Sequence, residues 1–329
     1  MKKLFTLLTI LFITSTFGQQ RLIAVKGTVT DAIANTLSQA IDIAQPGDKI
    51  YLPGGFYEHL PAINKQVHII GTGFQDGQNV MGRTTINGSL TLNDQANGST
   101  FEGFYLTDWF APATDVSDIT FKRCNMLGTL YQFKFDNCIF TNCVVRECLH
   151  FGWDGTGTYG INNVITNSFI YRIYRAKYSE IKNCIIKLYL QQCDNVLVKN
   201  NVFDYTDTNC NIFYQSGNML LENNLIKTSC SSVELPGVLS NINTIPYVAI
   251  NDVFVNATDF SFNPLFNYRL KVDIIQAFPT AVSAGVYVGT NPWKDGSLPI
   301  IPNIEQNSSY LDVQAGQFKL NVKVVPQTH

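Results

Sequence analysis

A six-residue phrase of apolar and polar positions recurs along the middle of the chain. In Ile181–Ile186 an apolar residue is followed by a polar residue, an asparagine, a small residue and two apolar residues. Val198–Phe203 repeats the phrase seventeen residues later. Further copies begin at Phe121, Phe135, Ile165 and Leu221, a degenerate copy begins at Phe101, and a copy beginning at Phe140 overlaps the one at Phe135. The overlap leaves the register open at that point, and the spacing between copies is irregular while the phrase is constant.

The segments between the copies alternate β-branched or aromatic residues with polar residues and are separated by Gly, Asn and Asp, which is typical of short strands. Only residues 35–44 show helical periodicity, with Leu37, Ala40, Ile41 and Ala44 on one face. Helical solenoids need that periodicity in every repeat, and propellers need repeats of about 40 residues. Repeats near 20 residues therefore predict a parallel β-solenoid whose turns stack about 4.8 Å apart.

On such a coil the first residue of the phrase points inward, the second points to solvent, and the fourth points inward at a tight corner. The predicted inner ladder consists of Cys124, Cys138, Ser168, Cys184, Asn201 and Asn224. A stacked asparagine can hydrogen-bond the backbone of the next coil, and a cysteine fills the same small space. Among the outward residues, Lys199 and Glu222 are predicted to form a cross-strand ion pair.

Two further blocks carry a family resemblance together with the repeated phrase. One is "TLSQAIDIAQPGDKIYLPGGFYEHLPAINKQVHIIGTG" (36–73), and the other comprises "NPLFNYRLKVD" (263–273) and "SAGVYVGT" (283–290). The chain resembles the pectate-lyase-like right-handed parallel β-helix superfamily over residues 34–293. The resemblance implies an all-β, single-stranded right-handed parallel β-helix with an N-terminal capping helix, which protects the open end of a solenoid. It implies little about function, because this scaffold carries lyases, hydrolases, esterases and adhesins.

The two termini differ from the repeat region. Residues 1–18 have Lys2 and Lys3 before a short apolar stretch, which predicts a signal peptide cleaved near Gly18 and an exported protein. Residues 19–33 form an N-terminal segment. Residues 294–329 are a proline-rich linker followed by an alternating stretch, predicted to be a β-hairpin or cap, with an export or surface-sorting signal as the alternative. No later apolar segment is long enough to span a membrane.

Charge and cysteine content narrow the classes of partner. The chain has 25 acidic and 23 basic residues, and charged residues make up only 15% of it, so no basic footprint for nucleic acid is present. Four histidines and the absence of a CxxC pair argue against zinc. Cys193 and Cys210 lie nine residues after ladder positions, so they form either a disulfide or stacked free thiols. Cys143, Cys148 and Cys230 have no predicted place.

The densest candidate chemistry lies between residues 150 and 207. The aspartate motifs of polygalacturonases and pectin methylesterases are missing, whereas a β-eliminating lyase needs only a cation beside the uronate and a base. Candidate catalytic residues are Arg172, Arg175 and Lys187. Candidate substrate-binding residues are His150, Trp153, Tyr174, Tyr178 and Tyr205. Asp204 and Asp207 are the nearest approach to a Ca²⁺ site, which usually needs 6–8 oxygen ligands, and Ca²⁺ is expected only if the protein is a lyase.

Three hypotheses remain open at this point. The first is a non-catalytic surface or secreted scaffold that binds an acidic polysaccharide along its flank. The second is a polysaccharide lyase, which predicts Arg172 or Arg175 facing the loop that contains Trp153, with an aspartate at metal-bridging distance. The third is a purely structural or adhesive solenoid, since outward Arg, Lys and Tyr are ordinary residues on a solvated sheet. Exposed aromatic residues in a row would favour the first.

Overall fold

The structure is a computed structural model. It describes residues 22–58, 61–76, 82–108, 114–129, 134–152, 157–205, 210–228, 230, 235, 237–248, 253–257, 262–295, 303–307, 310–312, 317–319 and 322–325. The predicted signal peptide and the candidates Trp153 and Asp207 lie outside the described residues.

The described chain is almost entirely short strands. Up to the middle of the chain they are β1 (Ile23–Lys26), β2 (Asp31–Ala34), β3 (Asp48–Tyr51), β4 (Gly55–Glu58), β5 (Val67–Ile70), β6 (Thr84–Asn87), β7 (Thr100–Glu102), β8 (Tyr105–Leu106), β9 (Val116–Ser117), β10 (Thr120–Lys122), β11 (Asn125–Met126), β12 (Phe135–Asp136), β13 (Ile139–Thr141), β14 (Val144–Val145), β15 (Leu149–His150), β16 (Gly160–Ile161), β17 (Val164–Thr166) and β18 (Phe169–Ile170).

The later strands are β19 (Ile173–Tyr174), β20 (Ala176–Lys177), β21 (Glu180–Lys182), β22 (Ile185–Ile186), β23 (Leu190–Gln191), β24 (Leu197–Lys199), β25 (Val202–Tyr205), β26 (Phe213–Tyr214), β27 (Met219–Glu222), β28 (Leu225–Thr228), β29 (Val238–Ile242), β30 (Ile245–Val248), β31 (Phe254–Asn256), β32 (Asn267–Leu270), β33 (Asn303–Asn307), β34 (Tyr310–Asp312), β35 (Gln317–Lys319) and β36 (Val322–Val325). The helices are α1 (Leu37–Ile43) and α2 (Val272–Ala277), with 3-10 turns η1 (Asp94–Ala96) and η2 (Pro279–Ser283).

The strands wind into a parallel β-solenoid of about 8 turns, as the sequence predicted. A first long sheet runs β2-β1-β3-β5-β7-β10-β13-β17-β21-β24-β27-β29, and a second runs β30-β28-β25-β22-β18-β14-β11-β8-β6-β4. A third, shorter sheet, β15-β19-β23-β26, forms another side of the middle coils. Within each coil the strands of these sheets follow one another around a core of buried apolar side chains. The right-handed winding and the superfamily membership stay predictions.

The register of the first sheet settles the overlap that the sequence left open. Phe121 pairs with Phe101 on one side and with Phe140 on the other, and the three rings stack at centroid distances of 5.2 and 5.1 Å. The copy of the phrase that begins at Phe140 is therefore the one in register. The assignment of Cys138 to the ladder of Cys124 is wrong, because Cys143 occupies that position.

Cys138 belongs to a different inner column, at the corner where each coil enters the first sheet. Its backbone N–H donates to Asn163 Oδ1 at 2.8 Å, and the N–H of Asn163 donates to Ser179 Oγ at 3.0 Å. The second column has the same requirement as the first, because the polar backbone groups at a buried corner need hydrogen bonds from a small or amide side chain. Two corners of the coil therefore share one sequence signature, which is why the overlap was ambiguous.

The remaining ladder residues are buried and joined by hydrogen bonds. Asn201 Oδ1 accepts from the N–H of Cys184 at 2.9 Å, and Asn201 Nδ2 donates to Ile181 O at 2.9 Å. Asn224 Oδ1 accepts from the N–H of Asn201 at 3.0 Å, and Ser168 Oγ accepts from that of Cys143 at 3.0 Å. On the solvated side of the same sheet, the predicted ion pair of Lys199 and Glu222 is confirmed at 2.6 Å.

The asparagine in the third position of the phrase has a conformational role. Asn142, Asn167, Asn183, Asn200 and Asn223 all have φ between 49° and 57°, in the left-handed region. Asparagine enters that region more readily than most residues because its short side chain can hydrogen-bond locally. The third position is therefore the point at which the chain turns from the first long sheet into the second.

At the N-terminal end, β1 pairs antiparallel with β2 and with β3, so a hairpin closes the first sheet. Helix α1 follows β2, and the side chain of Thr36 accepts from the N–H of Gln39 at its first turn. Leu37, Ala40 and Ile41 are buried in the core. The helix lies where its periodicity predicted it, while its function as a cap stays a prediction.

The described parts of residues 253–295 lie against the outer face of the second long sheet. We call them the covering segment. The blocks 263–273 and 283–290, which carry part of the family resemblance, belong to this segment. The segment contributes Phe262, Tyr268, Val286 and Trp293 to a second apolar cluster, which buries outward side chains of the second sheet. Those side chains are Val144, Phe169, Ile185, Val202 and Leu225.

The corner asparagines fix part of this covering segment, residues 283–291, across four coils. Asn142 Nδ2 donates to Asn291 O at 3.1 Å, and Asn167 Nδ2 donates to Val286 O at 2.8 Å. Asn183 Nδ2 donates to Ser283 O at 2.9 Å. At the next coil, Ser283 Oγ donates to Asn200 Oδ1 at 3.1 Å. We call residues 283–291 the strap.

Near the C-terminus, β33 pairs antiparallel with β36, and β34 with β35. No helix among the described residues is long and apolar enough to cross a membrane.

Candidate functional site

The third sheet presents one outward side chain from each of four consecutive coils. Leu149, Ile173, Leu190 and Phe213 point into the core and are fully buried. Because side chains alternate along a strand, the next residue in each case points outward. In register, these outward residues are His150, Tyr174, Gln191 and Tyr214. We call them the outer row.

The first half of the outer row is stacked and hydrogen-bonded. The His150 and Tyr174 rings lie parallel with centroids 5.2 Å apart. Tyr174 Oη is 2.9 Å from Oη of Tyr189, whose ring meets that of Tyr174 edge-on at 6.0 Å. Burial and the hydrogen bond with Tyr189 raise the pKa of Tyr174. The phenol therefore remains protonated well above neutral pH.

Arg172 adds a positive charge beside the row. Its guanidinium carbon lies 5.5 Å from the centroid of the Tyr174 ring, and Nη1 donates to Tyr189 Oη at 3.4 Å. The Arg172 Nε atom is buried and has no hydrogen-bond partner among the described residues. The residue itself is half-buried, and the positive charge of its guanidinium makes Arg172 a candidate contact for an anionic ligand.

Arg175 and Lys177 lie around the next corner of the same coil. Arg175 has φ 57° and is only 7% exposed. Its Nη1 donates to Thr158 O at 3.4 Å, and its guanidinium lies 5.7 Å from the Tyr159 ring centroid, so it contacts the end of the loop that contains Trp153. Lys177 pairs with Asp194 at 3.3 Å. Tyr178, a predicted binding residue, is 56% exposed and lies 5.3 Å from the Lys177 ammonium.

Lys187 and Asp204 lie at the end of the second sheet and pair with each other. Lys187, Asp204 and Lys227 occupy consecutive coils in register, and Asp204 oxygens lie 3.0 and 3.4 Å from the two ammonium groups. Asp204 is 2% exposed. Its carboxylate is therefore engaged by two lysines, an arrangement that competes with metal binding. Within the described residues, no three His, Cys, Asp or Glu side chains group to hold a metal.

The prediction that Tyr205 binds substrate is wrong. Tyr205 is 1% exposed and belongs to the core, and its hydroxyl accepts from the N–H of Asn211 at 3.2 Å. In β25 the side chains alternate, so Tyr205 points inward like Phe203, two residues earlier.

The cysteine pairing also differs from the one considered from the sequence. Cys210 is bridged to Cys230, with Cα atoms 5.8 Å apart, and Cys193 is a buried free thiol. The N–H of Cys193 donates to Ser216 Oγ at 3.0 Å, so Ser216 is its neighbour on the next coil. Ser216 follows Cys193 by 23 residues, so this coil is longer than the one before it. The extra length moves Cys210 out of the column that contains Cys193.

Sequence reasoning missed Gln191 and Tyr214 as companions of Tyr174. The spacing of the phrase did not reveal them, because it is 16 and 17 residues between these coils, whereas Gln191 follows Tyr174 by 17 residues and Tyr214 follows Gln191 by 23. The larger second spacing arises because the segment between β25 and β26 is longer than its counterpart between β22 and β23. Of the predicted residues, the structure brings His150, Arg172 and Tyr174 together, places Arg175 and Tyr178 around one corner, and places Lys187 and Asp204 around another.

Comparison with protein-family models, with curated proteins and with solved structures gives no match to this chain.

Proposed function

We propose that the protein is an exported β-solenoid that binds an acidic polysaccharide along the flank that carries the outer row. The observation that supports this most is the row itself, in which Tyr174, Gln191 and Tyr214 stand in register on three consecutive coils and His150, 5% exposed, stacks on Tyr174. Coils of a parallel solenoid repeat about every 4.8 Å. A repeating row of similar groups suits a repeating polymer better than a single small ligand.

The chemistry of the row suits a sugar polymer. Tyrosine combines an apolar ring with a polar hydroxyl, so it can contact both the C–H faces and the hydroxyl groups of a sugar. Gln191 adds an amide that can both donate and accept hydrogen bonds. Tyr214, at the far end of the row, is 44% exposed. That exposure leaves its ring available to a ligand.

Positive charge beside the row favours an acidic polymer. The Arg172 guanidinium lies 5.5 Å from the centroid of the Tyr174 ring, and Lys177, paired with Asp194, lies around the next corner of the same coil. Arg172 would attract uronate or sulfate groups, and the attraction would be screened by salt.

A polysaccharide lyase is the second candidate, supported by Arg172 lying beside two tyrosine hydroxyls. An arginine could neutralise a uronate carboxylate, and a phenolate could remove the C5 proton. Two features weigh against it. The raised pKa of Tyr174 keeps that phenol protonated, and Lys187 is engaged by Asp204 rather than free to act as a base.

One experiment separates these functions. The mature protein is incubated with pectate, alginate and a glycosaminoglycan, with and without Ca²⁺. Binding is measured by affinity electrophoresis, and the ultraviolet absorbance of unsaturated sugar ends is followed in the same samples. We expect salt-sensitive binding to at least one polymer and no absorbance. Rising absorbance would establish the lyase, and the absence of both signals would leave a purely structural solenoid.

Two variants locate the binding. Arg172→Gln removes the charge beside the row, and we expect it to weaken binding about tenfold, the loss of one charge-assisted contact. Lys182→Gln removes a half-buried lysine of the first sheet that pairs with Glu180. It should leave the affinity unchanged. Equal losses in the two variants would place the binding surface elsewhere.

A further inference from the structure

A small pocket lies on the second sheet, separate from the outer row. It has a volume of about 110 Å³ and opens to solvent at the edge of the covering segment. Its lining includes Val144, Phe169 and Phe262 as apolar walls and Arg146, Tyr171 and Lys187 as polar groups. Arg146, Tyr171 and Lys187 each follow a strand of the second sheet, on three consecutive coils. The walls and the polar groups therefore come from different parts of the chain.

The polar side of this pocket is positive. Arg146 Nε donates to Asn125 Oδ1 at 3.2 Å, and its guanidinium carbon lies 5.9 Å from the Phe262 ring centroid. Among the described residues no carboxylate pairs with Arg146, so its outer N–H groups remain available. Lys187, paired with Asp204 at 3.0 Å, lies on the same side of the pocket. The guanidinium of Arg146 therefore supplies the positive charge at the pocket.

The apolar side is aromatic and fixed in place. The Phe169 and Phe262 rings meet edge-on at 5.0 Å, and Trp293 packs against both at 4.9 and 5.4 Å. Walls of this kind accept a flat ring in offset-stacked or edge-to-face contact. The volume is well below the 300–1,000 Å³ of clefts that bury drug-sized ligands. It therefore suits one ring rather than an oligomer.

We propose that this pocket binds a small aromatic carboxylate of the size of benzoate. The ring lies against Val144, Phe169 and Phe262, and the carboxylate faces the Arg146 guanidinium, whose planar N–H groups match a carboxylate in a bidentate pair. The site is distinct from the outer row, and it does not depend on the proposed polysaccharide binding.

The wild-type protein alone can test the chemistry and the location. Benzoate, benzamide and cyclohexanecarboxylate are titrated into the full protein by isothermal calorimetry. We expect saturable binding in the order benzoate, cyclohexanecarboxylate, benzamide, with benzamide at least about tenfold weaker because it lacks the charge. Nuclear Overhauser contacts from the benzoate ring to the Val144 methyl groups should locate the ligand. No saturable binding of benzoate, or equal binding of benzamide, overturns the proposal.

Variants give a second test. Arg146→Gln should weaken benzoate at least about tenfold, and Arg146→Lys should restore part of the affinity because it keeps the charge without the planar fork. Arg83→Gln is the matched control, since Arg83 also lies over a ring, 4.8 Å from Tyr105, but pairs with Asp76. It should bind benzoate as the wild type does. Unchanged affinity in folded Arg146→Gln overturns the site, and if that variant does not fold, the contacts to Val144 decide.

Discussion

At the scale of single residues, the repeated phrase encodes backbone conformation and buried hydrogen bonds together. Its third residue adopts a left-handed φ, as at Asn183 and Asn200, and its fourth is buried in the core. Asparagine occurs at both the third and the fourth positions, whereas cysteine and serine occur only at the buried fourth position in the described coils. The third and fourth positions can therefore be separated by substitution.

Asn201→Ala tests the buried position. The side chain accepts one and donates two hydrogen bonds, to Cys184, Ile181 and Asn224. Its removal leaves buried polar groups of the neighbouring coils without a hydrogen-bond partner, so we expect a loss of about 2–4 kcal/mol in the free energy of unfolding. Chemical denaturation measures it. Lys182→Gln on the neighbouring coil should stay within about 0.5 kcal/mol of the wild type, and equal effects in the two variants would contradict the ladder.

Asn183 and Asn137 together test the corner position. Both have φ 54°, but only Asn183 donates to the strap, at Ser283 O. Glycine tolerates this φ, so Asn183→Gly should lose only the strap contact, whereas Asn183→Ala should lose about 1–2 kcal/mol more through backbone strain. Asn137→Gly should be nearly neutral. Thermal denaturation compares the three, and an alanine variant at 183 as stable as the glycine variant would refute the conformational role.

At the scale of elements, the covering segment shields the outward apolar side chains of the second sheet from solvent. Val144, Phe169 and Ile185 would otherwise expose apolar surface, and the covering segment buries them against Phe262 and Trp293. The corner asparagines fix the strap across four coils. The covering segment therefore depends on both aromatic packing and amide hydrogen bonds.

Trp293→Ala should loosen the covering segment. The indole packs against Phe74, Phe169 and Phe262, and large-to-small substitution of a buried tryptophan costs about 3–5 kcal/mol. Hydrogen exchange should show faster exchange in residues 283–291, while the amides of β17, β21 and β24 remain protected.

Tyr287→Phe is the control for that measurement. It removes a hydroxyl that donates to Asp295 at 2.8 Å and keeps the ring. The exchange rates of the strap should stay close to those of the wild type. Strap exchange unchanged in Trp293→Ala would mean that the aromatic cluster does not hold the segment.

At the scale of the whole molecule, the sequence pattern predicted the coils of the solenoid but not the segment that packs against them. The spacing of the phrase predicted the parallel strands, and the pairing of Lys199 with Glu222 followed from it. Cys138 was misplaced because two corners use the same residue types, and Cys210 because one coil is longer than its neighbour. The position of residues 253–295 depends on packing between distant parts of the chain, for which the local pattern of Tyr268 or Trp293 carries no signal.

The buried thiols make stability depend on alkaline pH. Burial raises the pKa of Cys138, Cys143, Cys184 and Cys193 from 9.0 to about 12. Above pH 9 the unfolded chain releases these protons and the folded chain keeps them, so stability is full below pH 9 and falls as the pH rises towards 12. Each thiol contributes a slope of about 1.4 kcal/mol per pH unit.

Cys184→Ala should reduce that alkaline slope by the contribution of one thiol, as measured by denaturation between pH 8 and 11. Thiol reagents should also label the free cysteines only after unfolding, because all of them are buried. Rapid labelling of Cys184 in the native protein would contradict its place in the core.

The most direct test of the proposed function is the affinity of Tyr214→Ala for the most tightly bound acidic polysaccharide of the panel, measured by isothermal titration calorimetry. Tyr214 is exposed at the end of the outer row, and Phe56, 61% exposed near the N-terminal end, provides a matched aromatic control. We predict about fivefold weaker binding for Tyr214→Ala, the loss of one aromatic contact, and unchanged binding for Phe56→Ala. Equal affinities for wild type and Tyr214→Ala would contradict binding along the outer row.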